Sequence, residues 1–90
     1  MINIGDRMRP LVDDNFVFNP DIHKVISKNI KKYRTLKGYT QLELSEMVEL
    51  SHDFIRRIES EKGRNDFSLE TLYKISVVLE TPMDLFIKED

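Results

Sequence analysis

The chain has 90 residues, no cysteine, and 14 Lys and Arg against 16 Asp and Glu, for a formal net charge of −2. A chain this short builds one small domain with a modest core, which argues against a large enzymatic cleft, and the absence of cysteine excludes disulfides and thiolate zinc sites. His23 and His52 stand far apart in sequence without clustered carboxylates, so no metal or other cofactor is expected.

Residues 1–19 have no sustained period and contain Gly5, Pro10 and the acidic pair Asp13 and Asp14, the pattern of a non-helical arm. Phe16, Val17 and Phe18 form an apolar cluster within that arm, which is expected to dock on the chain's own domain or on a second subunit. Asn19-Pro20-Asp21 then combines a cap side chain, a proline suited to the first helical position and an acid near the positive end of the dipole, so a helix starts here. Ile22, Ile26, Ile30, Tyr33 and Leu36 recur at steps of four, four, three and three, which stacks them on one face until Gly38 ends the helix as a left-handed cap. Lys24, Lys28, Lys31 and Lys32 read as a solvated stripe on the same helix, with Lys37 at its end.

The segment 40–59, TQLELSEMVELSHDFIRRIE, reads as two short helices joined by a tight turn. Thr40 and Glu43 form a capping box, each satisfying the other's orphan amide, and Leu44, Met47 and Val48 give one apolar face. Glu49 and Leu50 break that period. Ser51 supplies a second cap oxygen, and Ile55 and Ile58 anchor a new helix, so the pair has the form of a helix-turn-helix. At about 100° per residue, with the buried face centred between Ile55 and Ile58, Asp53, Arg57 and Ser60 point most directly outward. His52 and Arg56 flank them on one side and Phe54 on the other.

Lys62, Gly63, Arg64 and Asn65 make a polar loop, after which Ser68 caps a fourth helix with Leu69, Leu72, Ile75, Ser76 and Leu79 facing inward. Thr81-Pro82-Met83-Asp84 repeats the cap, proline and acid signal, and Leu85, Phe86 and Ile87 close the chain with a short helical turn. Five helices behind an arm is the expected architecture. Charge is unevenly spread along it. Residues 21–65 carry ten basic against seven acidic groups, whereas residues 66–90 carry two against six, so one part of the molecule favours polyanions.

With these residues placed, residues 22–87 resemble the Cro/C1-type helix-turn-helix family, also called XRE-like, which includes phage repressors and many small bacterial regulators. The resemblance rests on Arg34, Gly38, Thr40-Gln41, Leu44, Ser51, Ile55, Ile58-Glu59 and the run SLETLYKISVVL, all at family spacing. It implies an all-α, five-helix, lambda-repressor-like DNA-binding domain over residues 20–88, preceded by the arm of residues 1–19.

The resemblance also implies roles for individual residues. Arg34 and Glu59 match positions that in the family often form a partly buried ion pair between helix 1 and the end of helix 3. Gln41 matches a position that meets a DNA phosphate or braces the recognition helix, and Thr40 opens the same helix with exposed amides. His52, Asp53, Arg56 and Arg57 match base-contacting positions, with Arg57 the leading candidate because an arginine can donate two hydrogen bonds to guanine O6 and N7. Ser51 and Phe54 lie where the DNA backbone is approached. Lys37, Tyr39, Lys62 and Arg64 are further phosphate candidates.

Three residues depart from the family pattern. Glu49 stands where many members have glycine, which implies strain or an altered turn. Asp53 has three readings, an acceptor for a cytosine amine, a partner of the helix dipole or an ion pair with Arg57. Phe54 replaces a small polar residue, and packing on the domain's own edge is favoured over a thymine methyl or a protein partner. The loop carrying Lys62 and Arg64 is one or two residues longer than the common form, which shifts its register on DNA.

The expected function is sequence-specific recognition of double-stranded DNA by a non-enzymatic transcriptional regulator, with residues 51–60 in the major groove. One module reads few base pairs, so a homodimer on a palindromic site is expected, with half-sites roughly 34 Å apart. No small-molecule ligand is evident. No apolar run approaches the roughly 20 residues of a membrane span and the opening residues lack a signal-peptide pattern, so a cytoplasmic location is expected. The alternative is a protein-interaction module of the same fold that has lost DNA binding, with Asp53, Phe54 and the acidic C-terminal region forming the contact surface.

Overall fold

The computed structural model describes residues 21–60 and 67–89, and these are all-helical with no strand. The elements are α1 (Ile22–Lys37), α2 (Gln41–Met47), α3 (His52–Glu59), α4 (Leu69–Val78) and a closing 3-10 turn (Met83–Ile87). The expected arm over residues 1–19 and the loop cations Lys62 and Arg64 lie outside the described residues.

Local chemistry accounts for where the helices start. The Thr40 hydroxyl accepts from the Glu43 amide while the Glu43 carboxylate accepts from the Thr40 amide, a complete capping box. The Ser51 hydroxyl accepts from the Phe54 amide, and Ser68 does the same for Thr71. α1 begins at Ile22 with Asp21 in the cap position, but the Asp21 side chain makes no cap hydrogen bond.

Three helices stop in the same way. After α1, α2 and α4 the chain turns through the left-handed region at Gly38 (φ 80°), Glu49 (φ 59°) and Glu80 (φ 50°). The amide of the following residue then reaches back to a helix carbonyl, Tyr39 to Arg34 at 3.2 Å, Leu50 to Ser45 at 2.9 Å and Thr81 to Ser76 at 2.9 Å. Glycine adopts this conformation freely, whereas each glutamate is strained by about 1–2 kcal/mol.

Ile30, Leu44, Ile55, Ile75, Leu79 and Phe86 are fully buried, and Ile26, Val48, Ile58 and Leu72 nearly so. Each such side chain contributes about 1.5–3 kcal/mol relative to leaving it in water. α3 packs on both α1 and α2, which clamps it from two sides, while the closing turn packs on α1 and α4.

The expected fifth helix is a 3-10 turn. The buried Asn29 amide group on α1 donates to the carbonyls of Leu85 at 3.3 Å, Phe86 at 2.7 Å and Lys88 at 2.8 Å, which holds them on α1. Three residues expected to face inward are exposed: Leu36 at 71%, Leu69 at 74% and Met47 at 45%. On α1 the buried face is shared by Ile26, Ser27, Asn29 and Ile30, so Leu36 falls about 100° from its centre. Leu69 opens α4, where a side chain tilts back past the helix end. On α2 the buried partner of Leu44 and Val48 is Ser45, whose hydroxyl donates to the Leu42 carbonyl at 2.6 Å, and Met47 lies on the flank.

Candidate nucleic-acid interface

The outer face of α3 presents a row of polar side chains. His52, Asp53, Arg56 and Arg57 are exposed, Phe54 and Ser60 are half-buried, and Ile55, Ile58 and Glu59 are buried. The helix is amphipathic because its two isoleucines sit three apart and its other residues are polar apart from Phe54. Phe54 packs partly against the core, in keeping with its packing role.

The row is internally paired. Asp53 Oδ1 accepts from Arg56 Nη2 at 2.7 Å, and Asp53 Oδ2 lies 3.3 Å from Arg57 Nε. The Arg57 guanidinium also lies over the Phe54 ring, 5.6 Å from its centroid. One carboxylate therefore balances two cations, and the face keeps a net positive charge.

Glu59 braces the far end of α3. Its Oε2 accepts from Arg34 Nε at 2.6 Å, and its Oε1 accepts from both Arg34 Nη2 and Gln41 Nε2 at 3.0 Å. Arg34 Nη1 donates to the Tyr39 carbonyl at 2.7 Å, so one guanidinium joins α1, the turn before α2 and α3. Gln41, at the head of α2, ties itself to the end of α3 through its amide nitrogen. Its carbonyl oxygen has no part in that bond.

The other candidates are arranged around this frame. Thr40 uses its amide and its hydroxyl oxygen in the capping box. The Thr40 amide first, and then the Thr40 hydroxyl, donates to the Glu43 carboxylate and holds it below the usual carboxylate range. The Ser51 oxygen caps α3. Lys37 pairs with Glu80 at 3.1 Å on the surface, and Tyr39 is half-buried against the core. Lys24, Lys28 and Lys31 are exposed along α1, and Lys32 lies 5.3 Å from the centroid of the Tyr33 ring. Among the described residues no group of His, Asp and Glu could hold a metal ion, and no helix is long and apolar enough to cross a membrane.

Sequence reasoning missed Asn29, which sets where the closing turn sits. The signal was present as a short polar residue on the apolar face between Ile26 and Ile30. It missed Tyr39's part as well, since a backbone carbonyl leaves no trace in side-chain pattern.

The helix-turn-helix family model matches residues 30–86. The crystal structure of SinR, the master regulator for biofilm formation, in complex with DNA is 30% identical, with 70% of this chain and 98% of that chain covered and a TM-score of 0.64. The N-terminal DNA binding domain of SinR from Bacillus subtilis is 31% identical over 76% of this chain and 97% of that one, with a TM-score of 0.67. A hypothetical transcription factor from Neisseria, NHTF, shares the fold at 18% identity and a TM-score of 0.69, covering 84% of this chain and 83% of that one. No curated protein matches by sequence.

Proposed function

The chain belongs to the Cro/C1-type helix-turn-helix family, and from that premise we propose that it is a sequence-specific double-stranded DNA-binding transcriptional regulator whose α3 enters the major groove. The observation that carries this reading is the exposed row His52, Asp53, Arg56 and Arg57 on a helix braced at Glu59 by Arg34 and Gln41. In this reading His52, Arg56 and Arg57 face base edges, with Asp53 among them. Lys37, Tyr39, Thr40, Gln41, Ser51 and Phe54 lie along the sugar-phosphate backbone. Phosphate contacts fix register and base contacts supply sequence, so the two sets have different signatures when mutated. The regulator acts without catalysis, as a homodimer on a palindromic site with half-sites roughly 34 Å apart.

Selection of bound sequences from a random duplex library tests this. A palindrome with half-sites about one helical turn apart is the expected product, and affinity for it falls steeply as salt rises. Failure to enrich any sequence, together with no DNA retardation even at low salt, overturns the proposal. That outcome favours the second reading, a protein-interaction module, for which the specific observation is the exposed apolar group Met47, Tyr73 and Val77 beside α2 and α4.

A further inference from the structure

Arg56 and Arg57 are not equivalent, although both bind Asp53. Arg56 spends a terminal nitrogen on the carboxylate, at 2.7 Å. Arg57 is engaged through Nε, at 3.3 Å, and its two terminal nitrogens remain available to donate. Its guanidinium carbon also lies 5.6 Å from the Phe54 ring centroid, within the roughly 6 Å of a cation–π contact. Phe54 is half-buried against the core and so forms a fixed wall. Asp53 sits in the first turn of α3, where the helix dipole favours its charge.

We propose that Asp53 and Phe54 are positioning residues that hold Arg57 as the guanine reader of α3, with Asp53 making no base contact of its own. The proposal rests on the DNA-reading function above and assigns its specificity to one side chain. Guanine presents O6 and N7 as adjacent acceptors, and two parallel N–H donors match them. An arginine already held by Nε and by a ring face gives up less side-chain freedom on docking than a free one. Asp53 also cancels one of the two charges it holds, which weakens the attraction to any phosphate backbone. Loss of the carboxylate therefore has two opposite effects: binding to unrelated DNA strengthens while preference for the cognate guanine weakens.

The probe is the duplex that the wild-type protein itself selects, with its guanines replaced one at a time by 7-deazaguanine, which removes only the N7 acceptor. Wild type is expected to lose about tenfold in affinity at one guanine, and Arg57→Ala to be indifferent to that replacement. Asp53→Asn and Phe54→Leu each lose most of the discrimination, and Asp53→Asn binds an unrelated duplex more tightly than wild type. A merely structural defect lowers both affinities together. In the DNA-free protein, 15N relaxation should report an ordered Arg57 Nε–H that Asp53→Asn releases. Wild-type discrimination retained by Asp53→Asn overturns the positioning role and leaves the DNA-reading function standing. A wild-type protein that selects no sequence overturns both.

Discussion

Arg34 and Glu59 form a two-point ion pair, Nε to Oε2 at 2.6 Å and Nη2 to Oε1 at 3.0 Å, with side chains 11% and 2% exposed. The pair sits where α1, the head of α2 and the end of α3 meet, so it fixes the angle of α3. Its net contribution is small because two charges leave water to form it, but removal of one partner strands the other. Glu59→Ala is therefore expected to lower unfolding free energy by about 3–5 kcal/mol in urea denaturation. The double replacement Arg34→Met with Glu59→Leu should be much less damaging. A loss below about 1 kcal/mol for Glu59→Ala, the range of exposed pairs, sinks this account.

Asn29 has a comparable structural role at the middle of α1. Its amide group satisfies the carbonyls of Phe86 and Lys88 at 2.7 and 2.8 Å. Asn29→Ala leaves them without that donor, at about 1–3 kcal/mol for each buried acceptor so orphaned. Amide hydrogen exchange in residues 83–88 should then quicken more than in α2 or α3. Uniform acceleration across all helices argues instead for a global loss of stability.

Glu59 and Asn29 mark the boundary of what the chain's pattern reveals. The starts of α2, α3 and α4 were legible because Thr40 with Glu43, Ser51 and Ser68 are local devices that act within four residues. Asp53 and Arg57 were legible as outward because Ile55 and Ile58 fix the buried side of α3, whereas Ser60, expected outward with them, leaves the helix as its extended C-cap and is half-buried. Leu36 was misplaced because the face set by Ile26, Ser27, Asn29 and Ile30 leaves it about 100° from the centre, and Leu69 because its side chain tilts back past the start of α4. The Gln41 to Glu59 bond and the Asn29 bridge join residues distant in sequence, and no local signal specifies them. How Asp53 divides its two oxygens between Arg56 and Arg57 is likewise set by rotamers rather than spacing.

Glu49 holds φ at 59° in the turn between α2 and α3. Glutamate pays a steric penalty there that glycine avoids, partly offset by the freedom glycine regains on unfolding. Glu49→Gly should raise stability by about 1 kcal/mol, read as a higher urea midpoint at unchanged slope. Glu49→Ala keeps the Cβ and should give no such gain. Destabilisation by glycine means that the turn is not strained.

Glu43 connects stability of α2 to pH. Its carboxyl is held below the usual carboxylate range, first by the Thr40 amide. A depressed folded value means that the carboxylate form stabilises the helix above the unfolded value, and that this contribution is lost as pH falls through the folded one. Carbon chemical shifts of the Glu43 carboxyl should place its midpoint below those of exposed glutamates, and α2 amides should begin to exchange faster in the same acidic window. Glu43→Gln keeps the reciprocal hydrogen bond and should remove the pH dependence in that window. An unshifted Glu43 midpoint contradicts the reading.

Gln41 and Arg57 separate grip from sequence reading. Gln41 is bound by its nitrogen to Glu59 and heads α2, so its proposed role is to hold register on the backbone. Gln41→Ala should weaken binding by a similar factor for the selected duplex and for every single-base variant of it. Arg57→Ala should cost about 1–3 kcal/mol on the selected duplex and flatten the preference at one position, while the other positions keep theirs. Measuring both variants against the full single-base series at fixed salt distinguishes the two patterns. A flattened position under Gln41→Ala, or a uniform loss under Arg57→Ala, reverses the assignment of the two residues.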